Sequence, residues 1–571
     1  MASRGLVLCL GGLASALHLQ SASTRSYTRL GSVAESVVAA HEDDEENMDE
    51  SYTTQIFCNR ELNMQQIEAV GFDMDYTLAR YTLDFDLLAF NGAKAKLLEN
   101  GYPACVADFT YDPKHHRRGL IIDKRRGNII KVDRHKYCSI AYHGSRLLTA
   151  EERKKEYVGV EDSAPTFVDN DFVNVDSLFQ LVDASLYSQL VDVLDKDPEL
   201  FKKKSYKTVY ADVRHAVDMC HHDGVIKDKV AEDPGRYIVP DDDMAPMMEQ
   251  FRRAGKRTFL LTNSLFDYTN VVMNFLTKSP GGPDGRSWID LFDVVVVGAC
   301  KPAFLGDGRR ELFRVDVAAA GGNLGVLHNV RGAPLDVIGS AKFLQREGRV
   351  FQGGTWKDLH RLLELQSGSQ LLYVGDHMYS DVVRSKRSLG WRTTLIIPEL
   401  THELRVGYTT LGTTLRLATH SAEYDAAEAD ADEIRLEMLG GGEKKNDAAL
   451  AALLGEAEGR IRSARDSLRE TRERLHAQYH NQWGPIFETG QHSSRFAKQV
   501  NDYACTYTSK VTNLINYSPS RSFRPVQDFM PHDQKPRVAL LDLIDETMMG
   551  SIFDDMVDGP DAADASGIAQ V

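Results

Sequence analysis

Four short apolar runs, each followed at once by polar residues, constrain the fold of this chain more than any other feature. Their length and composition are typical of buried β-strands. Helical stretches lie between them, for example at 244–254 and 267–276. Strands that alternate with helices predict a parallel sheet covered on both faces, and therefore an α/β core. The four runs occupy 69–72, 258–261, 293–297 and 370–374.

The gap between the first two runs predicts an inserted domain. About 180 residues separate them, which is far too many for one crossover connection. The gap contains strand-like runs at 119–123 and 128–132 and helical runs at 176–194 and 211–221. This mixture indicates an α+β cap domain that is inserted into the core.

Both chain ends differ from the core in composition. Residues 1–34 carry three arginines, no acidic residue and an apolar stretch, a pattern that fits either a targeting segment or a disordered tail. The predicted segments are a targeting-like or disordered segment with an acidic linker (1–50), the core (51–90 and 240–400), the cap (91–239), a C-terminal helical region (401–535) and a tail that is acidic and disordered at its end (536–571).

A heptad-like series of mostly apolar residues lies in the C-terminal region. Steps of four and three alternate along it, which predicts a helix with one apolar seam. The seam fits two arrangements equally, a helix packed on its own domain or a coiled coil between chains. Its members are Leu450, Leu454, Ala457, Ile461, Ala464, Leu468, Thr471 and Leu475.

Composition excludes several classes of protein. The net charge of −16 argues against a nucleic-acid partner. Seven dispersed cysteines without a C-x-x-C pair support neither a disulfide framework nor a zinc site. No run of 18 apolar residues is present, so no transmembrane helix is predicted. The predicted location is cytoplasmic, or organellar if the N-terminal segment is a transit peptide.

The segment GFDMDYTL is the strongest chemical signal. An apolar strand delivers Asp73 and Asp75 at its carboxyl end, where ligands bind in open α/β sheets. Two adjacent carboxylates require a positive partner such as Mg²⁺, and a carboxylate is also a possible nucleophile toward phosphorus. A pair of acidic residues in a surface turn is the alternative interpretation.

The other three runs end in matching residues. Thr262, Asn263 and Ser264 follow the second run, Lys301 follows the third, and Asp376 and Asp381 follow the fourth. Each feature alone has a plain structural explanation, such as a helix cap or a solvated lysine. Together, an acid pair, a hydroxyl, a lysine and a second acid pair form a specific constellation.

This constellation resembles the haloacid dehalogenase superfamily, and more closely its cytosolic purine 5′-nucleotidase family, which includes 5′-nucleotidase domain-containing proteins. The resemblance runs from about residue 56 to residue 533. It implies a haloacid-dehalogenase-like Rossmannoid parallel sheet with an inserted cap and a C-terminal helical extension. It rests on FDMDYTLA, TNS, CKP and GDHMYSD, which begin at Phe72, Thr262, Cys300 and Gly375.

The resemblance also implies roles for the core residues. Asp73 is expected to be the nucleophile, and Asp75 the general acid and base. Thr262 is expected to bind the transferring phosphoryl group, and Lys301, held by Asp381, to neutralise its charge. Mg²⁺ is expected to be held by three residues: Asp73, the main-chain carbonyl of Asp75, and Asp376.

Substrate contacts are expected mainly from the cap. By resemblance, Phe179 stacks on the base, while Gln180 and Asp176 depart from the asparagines of purine-preferring relatives. Arg214 and Asp218 are four residues apart, so an ion pair along a helix is the alternative to substrate contact. The expected substrate-binding residues are Asn263, Ser264, Arg214, Asp218, His221, Lys227, Phe179 and Gln180.

The basic residues 117–118 and 124–126 favour a solvated hairpin, with polyphosphate binding as the alternative.

The leading function is a Mg²⁺-dependent 5′-nucleotidase that acts on nucleoside monophosphates, with purine nucleotides as the first expectation. The reaction is expected to pass through an aspartyl phosphate, and the family also transfers the phosphoryl group to nucleosides. A phosphatase of another phosphorylated metabolite and a non-catalytic interaction protein that uses the C-terminal helices are the alternatives. Related enzymes assemble, so a homo-oligomer is expected.

Overall fold

The computed structural model describes nine stretches of the chain: 52–158, 167, 169–201, 203–279, 287–306, 308–317, 326–330, 339–440 and 447–526. The predicted segments 1–50 and 536–571 lie outside the described residues. So do the last nine residues of the predicted C-terminal region.

Within these nine stretches, twenty-one strands form five sheets. In chain order they are β1 Phe57–Cys58, β2 Leu62–Asn63, β3 Ala69–Phe72, β4 Arg80–Tyr81, β5 Ile121–Asp123, β6 Asn128–Val132, β7 Cys138–His143, β8 Arg146–Leu147, β9 Phe172–Asn174, β10 Ile238–Val239, β11 Arg257–Leu261, β12 Val294–Val297, β13 Leu312–Asp316, β14 Val326–Asn329, β15 Val350–Gly353, β16 Leu371–Gly375, β17 Arg392–Ile396, β18 Glu488–Thr489, β19 His492–Ser493, β20 Thr506–Thr508 and β21 Ser522–Phe523.

Fifteen α-helices accompany them among the described residues. They are α1 Leu83–Glu99, α2 Ala150–Tyr157, α3 Gln180–Lys196, α4 Tyr206–His222, α5 Val225–Glu232, α6 Pro234–Tyr237, α7 Met244–Arg253, α8 Phe266–Thr277, α9 Ser340–Glu347, α10 Trp356–Leu362, α11 Arg384–Leu389, α12 Leu400–Thr409, α13 Leu411–Leu439, α14 Asp447–Tyr479 and α15 Arg495–Tyr503.

The largest sheet has ten strands in the order β1-β20-β17-β16-β3-β11-β12-β15-β13-β14. Its seven central strands, β20 to β15 in that order, are mutually parallel. At the edges, β1 pairs antiparallel with β20, β13 with β15, and β14 with β13. All four residues of β3 and of β12 are buried, as expected for parallel strands covered on both faces. The predicted α/β class and mainly parallel sheet are therefore confirmed.

The four predicted strands appear within one residue of their expected ends, as β3, β11, β12 and β16. Gly71 allows β3 and β11 to pack closely, because a Cβ atom there would collide with the ring of Phe259. Three further strands of the parallel set, β15, β17 and β20, were not predicted. Each has only three to five residues.

A second sheet lies between β4 and β10 in the chain. It is fully antiparallel, with the order β8-β7-β6-β5-β9. Helices α3 and α4 contact each other, and both contact α1. The chain leaves the core after β4 and returns to it at β10, and these two strands pair antiparallel. The residues predicted as a cap and the core belong to one compact unit, Asn47–Gly407 with His476–Pro525.

The predicted helical region at 401–535 is wrong in part. It contains α13 and α14, but its later residues form β18 to β21 and α15. Strand β20 enters the main sheet next to β17. The reason is local: Thr506-Tyr507-Thr508 is a short β-branched and aromatic run that suits a sheet position.

A second compact unit contains Tyr408–Leu475, and in it α13 packs against α14. The predicted seam is buried at Ala457, Ile461, Ala464, Leu468 and Thr471. Its partners within this unit are Ala427 and Ala431 of α13. The seam is thus covered by a helix of the same chain, as the first of the two alternatives predicts.

In the stretches that the structure describes, no helix combines the length and the apolar composition that crossing a bilayer requires.

Candidate active site

The polar residues that follow β16, β3, β11 and β12 converge at one edge of the main sheet. These strands are consecutive neighbours and run parallel, so their carboxyl ends lie side by side. Asp73 directly follows β3, and Asp376 directly follows β16. Thr262 directly follows β11, and Lys301 lies four residues beyond β12. The structure therefore brings together the predicted catalytic constellation.

Lys301 lies at the centre of this group. Its ammonium is 3.0 Å from Asp73 Oδ2 and 2.8 Å from Asp381 Oδ1, and it donates to Tyr373 Oη at 2.7 Å. Although burial opposes its charge, the carboxylates of Asp381 and Asp73 raise the pKa of Lys301 well above its ordinary value. Lys301 is therefore a fixed cation in a buried setting.

Three carboxylates lie together here, and Lys301 pairs with two of them, Asp73 and Asp381. One oxygen each of Asp73, Asp376 and Asp381 lies within 4.8 Å of the others, and all three residues are buried. Burial, together with the charges of Asp381 and Asp73, raises the pKa of Asp376 well above its ordinary value. Burial also raises the pKa of Asp73 to about 7, although Lys301 counteracts part of the rise.

The donor set fits a hard divalent cation. Asp376 Oδ2 is buried without a hydrogen-bond partner among the described residues, and its neighbours are carboxylates, the ligands that Mg²⁺ prefers. Of the predicted metal ligands, Asp73 and Asp376 belong to the cluster. Asp75, expected to contribute its main-chain carbonyl, directs its carboxylate elsewhere, and Asp381 takes the third place in the cluster.

Asp75 is held by two hydroxyl groups. Tyr81 Oη donates to Asp75 Oδ1, and Ser264 Oγ donates to Asp75 Oδ2 at 2.8 Å. Tyr268 Oη in turn donates to Tyr81 Oη at 3.1 Å. Burial raises the pKa of Asp75, and the two donated hydrogen bonds oppose that rise. Sequence analysis missed both tyrosines, because nothing in the local pattern separates them from aromatic core residues.

The segment after β11 mainly supports the other residues. Thr262 is fully buried, and its hydroxyl accepts from the main-chain N–H of Ser264 at 3.1 Å. The Asn263 side chain bonds the main chain of Lys301 twice, accepting from N–H at 2.6 Å and donating to C=O at 3.1 Å. Asn263, expected to bind substrate, thus holds the loop that carries Lys301.

Arg118 is a third residue that sequence analysis did not place at the site. Its guanidinium donates to the main-chain oxygen of Asp376 at 2.8 Å. It also forms a bidentate pair with Glu399 at 2.8 and 2.6 Å. Arg117 pairs with Glu403 in a similarly buried position. The prediction of a solvated hairpin is therefore wrong for both arginines, because distant glutamates bury them.

The predicted cap residues fall into two groups. Phe179 packs edge-on against Tyr76, with centroids 4.7 Å apart, and against His221 at 5.5 Å. Burial lowers the pKa of His221 to about 4, which makes the imidazole neutral at pH 7. Burial raises the pKa of Asp75, and the charge of Lys227 opposes a small part of that rise.

The second group is engaged in internal contacts. Arg214 pairs with Asp183 at 2.7 Å and with Asp218, as the alternative of an ion pair along the helix predicts. Its side chain is still 35% exposed. Gln180 Oε1 accepts from the main-chain N–H of Asp176 at 2.8 Å, and this bond closes the turn that precedes α3.

Comparison with known proteins gives a consistent result. A model of the 5′ nucleotidase family matches residues 56–535. A 5′-nucleotidase domain-containing protein of Dictyostelium discoideum is 29% identical over 483 residues, which are 84% of this chain and 75% of that protein.

Two solved structures show weaker likenesses. An archaeal β-phosphoglucomutase from Pyrococcus sp. strain ST 04 is 10% identical with a TM-score of 0.24. CbbY from Rhodobacter sphaeroides, in complex with phosphate, is 12% identical with a TM-score of 0.21. Each covers 58% of this chain and 86% of its own. Both TM-scores are too low to establish a common fold.

Proposed function

Since this chain belongs to the 5′ nucleotidase family and is a hydrolase of that family, we propose that it releases phosphate from purine nucleoside 5′-monophosphates through an aspartyl phosphate on Asp73. One observation carries the proposal: Lys301 bridges Asp73 and Asp381 beside a buried cluster of three carboxylates. The carboxylate oxygen of Asp73 that would attack phosphorus and the fixed positive charge of Lys301 therefore lie side by side.

The chemistry divides into two displacements. Asp73 attacks phosphorus and the bond to the ribose oxygen breaks, while Asp75 gives its proton to the departing oxygen. Water then attacks the aspartyl phosphate, Asp75 takes up the proton of that water, and the bond between Asp73 and phosphorus breaks. A nucleoside hydroxyl in place of water would give phosphotransfer by the same route.

Charge neutralisation supplies most of the catalysis in phosphoryl transfer. Lys301 is placed to neutralise the phosphoryl oxygens because both of its carboxylate partners hold it in a buried position. Asp73 and Asp376, with the main-chain carbonyl of Asp75, would hold Mg²⁺, which supplies further positive charge when bound. Asn263 and Tyr373 position Lys301 through its main chain and its ammonium.

The cap residues support a nucleotide as the substrate. Phe179 offers an aromatic ring near Tyr76 and His221, and an aromatic ring stacks well on a base. Lys227 adds positive charge on the side of Asp75, and Arg214, although paired with Asp183 and Asp218, keeps a partly exposed guanidinium. Gln180 accepts from two main-chain N–H groups of the turn before α3, so it orients the turn that carries Phe179.

The test is phosphate release from a panel of purine and pyrimidine nucleoside monophosphates, with Mg²⁺ and with EDTA. We expect release from IMP or GMP above the pyrimidine nucleotides, and none with EDTA. Asp73→Asn should lower kcat by a factor of at least about 1,000. Asp108→Asn, the same change at an exposed cap residue, serves as the matched control.

Two results would count against parts of this proposal. Full activity of Asp73→Asn would exclude the covalent route. Mg²⁺-dependent release from a different phosphoester, without release from any nucleotide, would retain the mechanism and reject the substrate class.

A further inference from the structure

Hydroxyl groups from three separate elements converge on Asp75, the residue proposed to give a proton to the departing oxygen. Tyr81 ends β4, Ser264 lies in the loop after β11, and Tyr268 lies in α8. Tyr81 and Ser264 each donate to a different oxygen of the Asp75 carboxylate. Tyr268 donates to the hydroxyl of Tyr81 at 3.1 Å. Two consecutive hydrogen bonds therefore connect α8 to Asp75.

Packing fixes the two tyrosine rings. The ring of Tyr81 stacks on Phe85, with centroids 4.0 Å apart and planes 23° apart. It also meets Tyr76 edge-on, with centroids 5.1 Å apart. Tyr268 is buried in the main hydrophobic core. Because the protein itself holds both rings, the direction of their hydroxyl groups is set in advance.

This arrangement restricts the Asp75 carboxylate. Rotation of the group would break the hydrogen bond from Tyr81, the one from Ser264, or both. Each carboxylate oxygen has two lone pairs, so one on each oxygen stays free to carry the proton that Asp75 donates. At neutral pH the hydroxyl of Tyr81 keeps its own proton, because a phenol ionises only well above that pH.

We propose that Tyr81 is a positioning residue for Asp75, and that Tyr268 acts on Asp75 only through Tyr81. The two tyrosines direct the proton of Asp75 at the leaving oxygen while the bond between phosphorus and that oxygen breaks. Neither tyrosine gives up its own proton in this step. The inference rests on the proposed hydrolysis, in which Asp75 is the general acid.

Two phosphoesters with different leaving groups test this role. The ribose oxygen of IMP needs a proton as its bond to phosphorus breaks, whereas the nitrophenolate of p-nitrophenyl phosphate leaves without one. The comparison uses kcat/KM, which covers the steps up to release of the leaving group and does not depend on the later hydrolysis of the aspartyl phosphate.

We expect Tyr81→Phe to lower kcat/KM at least about tenfold for IMP and less than about threefold for p-nitrophenyl phosphate. Tyr268→Phe should give a smaller loss, about threefold, that is again confined to IMP. The double variant should lose no more than Tyr81→Phe alone, because Tyr268 has no route to Asp75 without the hydroxyl of Tyr81.

Tyr102→Phe is the matched control. The hydroxyl of Tyr102 donates to Asp212 at 2.7 Å, so the variant removes the same kind of hydrogen bond from a carboxylate outside the candidate active site. It should leave kcat/KM for both substrates within about twofold of the native value.

Equal falls for the two substrates, unchanged kinetics of Tyr81→Phe, or additive losses in the double variant would overturn the inference and leave the proposed function intact. If Tyr81→Phe does not fold, Tyr268→Phe carries the same comparison, and an equal loss for both substrates overturns the inference.

A different result would reject the proposed function. In that case the native protein would hydrolyse p-nitrophenyl phosphate but no nucleotide. An alkyl phosphate that the protein hydrolyses then replaces IMP, and the same comparison decides the role of Tyr81.

Discussion

The Asp376 carboxylate is held in an unfavourable position when no cation is bound. It is buried, and it faces the carboxylates of Asp73 and Asp381. Its raised pKa means that the folded state binds the proton more tightly than the unfolded chain does. Ionisation therefore costs stability as the pH rises above the ordinary value of an aspartate. The clustered carboxylates that are proposed to bind the metal therefore lower the stability of the folded protein when they are ionised.

We predict that Asp376→Asn stabilises the metal-free protein and abolishes catalysis. The neutral amide removes one of three clustered negative charges, so the apparent Tm in EDTA should rise by about 2 °C. The rise in Tm that Mg²⁺ gives the native protein should disappear. Thermal denaturation with and without Mg²⁺, together with phosphate release, measures both effects.

Asp502→Asn is the control, because it is the same change at an exposed position of α15. It should leave activity and the Mg²⁺-dependent rise in Tm unchanged. A lower Tm of Asp376→Asn in EDTA would show that the three carboxylates do not repel one another at neutral pH.

At the scale of elements, Arg118 connects three segments that are remote in the sequence. It precedes β5 of the insertion, contacts the loop after β16 through Asp376 and pairs with Glu399 beyond β17. Its side chain is fully buried. Because Arg118 contacts both the insertion and Asp376, the proposed metal ligand, we regard Arg118 as a positioning residue for the loop after β16.

We predict that Arg118→Met lowers the free energy of unfolding by about 3 kcal/mol, since it leaves the half-buried Glu399 without its partner. It should also raise the Mg²⁺ concentration that gives half-maximal activity, because the Asp376 loop loses its main-chain anchor. Denaturant unfolding and Mg²⁺ titration of phosphate release provide the two readouts.

Arg146→Met breaks an exposed pair with Glu152 in the same insertion and should leave the free energy of unfolding nearly unchanged, because solvent screens exposed pairs. If Arg118→Met lost stability but kept the Mg²⁺ requirement of the native protein, Arg118 would have only a structural role.

On the scale of the whole molecule, the chain divides into two compact units with different contents. Every residue of the candidate active site lies in the larger unit, within Asn47–Gly407. The smaller unit contains the pair α13 and α14, held by Ala427, Ala431, Ala457 and Ile461. Catalysis and the helical pair are therefore assigned to separate parts of the protein.

We predict that Ala457→Glu disrupts the helical pair and leaves kcat/KM within about twofold of the native value. Ala457 is fully buried, so a carboxylate there would be desolvated without a partner. Circular dichroism should show loss of helix, and phosphate release should continue. Ala451→Glu, at an exposed position of α14, should change neither. A tenfold fall in kcat/KM of Ala457→Glu alone would contradict this separation.

Local sequence determined the core strands and the order of the catalytic residues. Apolar runs such as 69–72 predict buried strands because burial on both faces requires them, and residues that follow parallel strands must share one edge of the sheet. The relation to the 5′ nucleotidase family is likewise carried by motifs read along the chain. The site roles, the compartment and the oligomeric state remain predictions.

Only the tertiary structure decided which side chains meet. Arg118 and Glu399 are 281 residues apart, and no periodicity links them. The same holds for Tyr81 with Asp75 and for β20, which lies between β1 and β17 in the main sheet. Local patterns report whether a residue is buried, since burial follows from the period of a strand or a helix. The partner of a buried charge depends on packing between distant segments, which the local pattern does not contain.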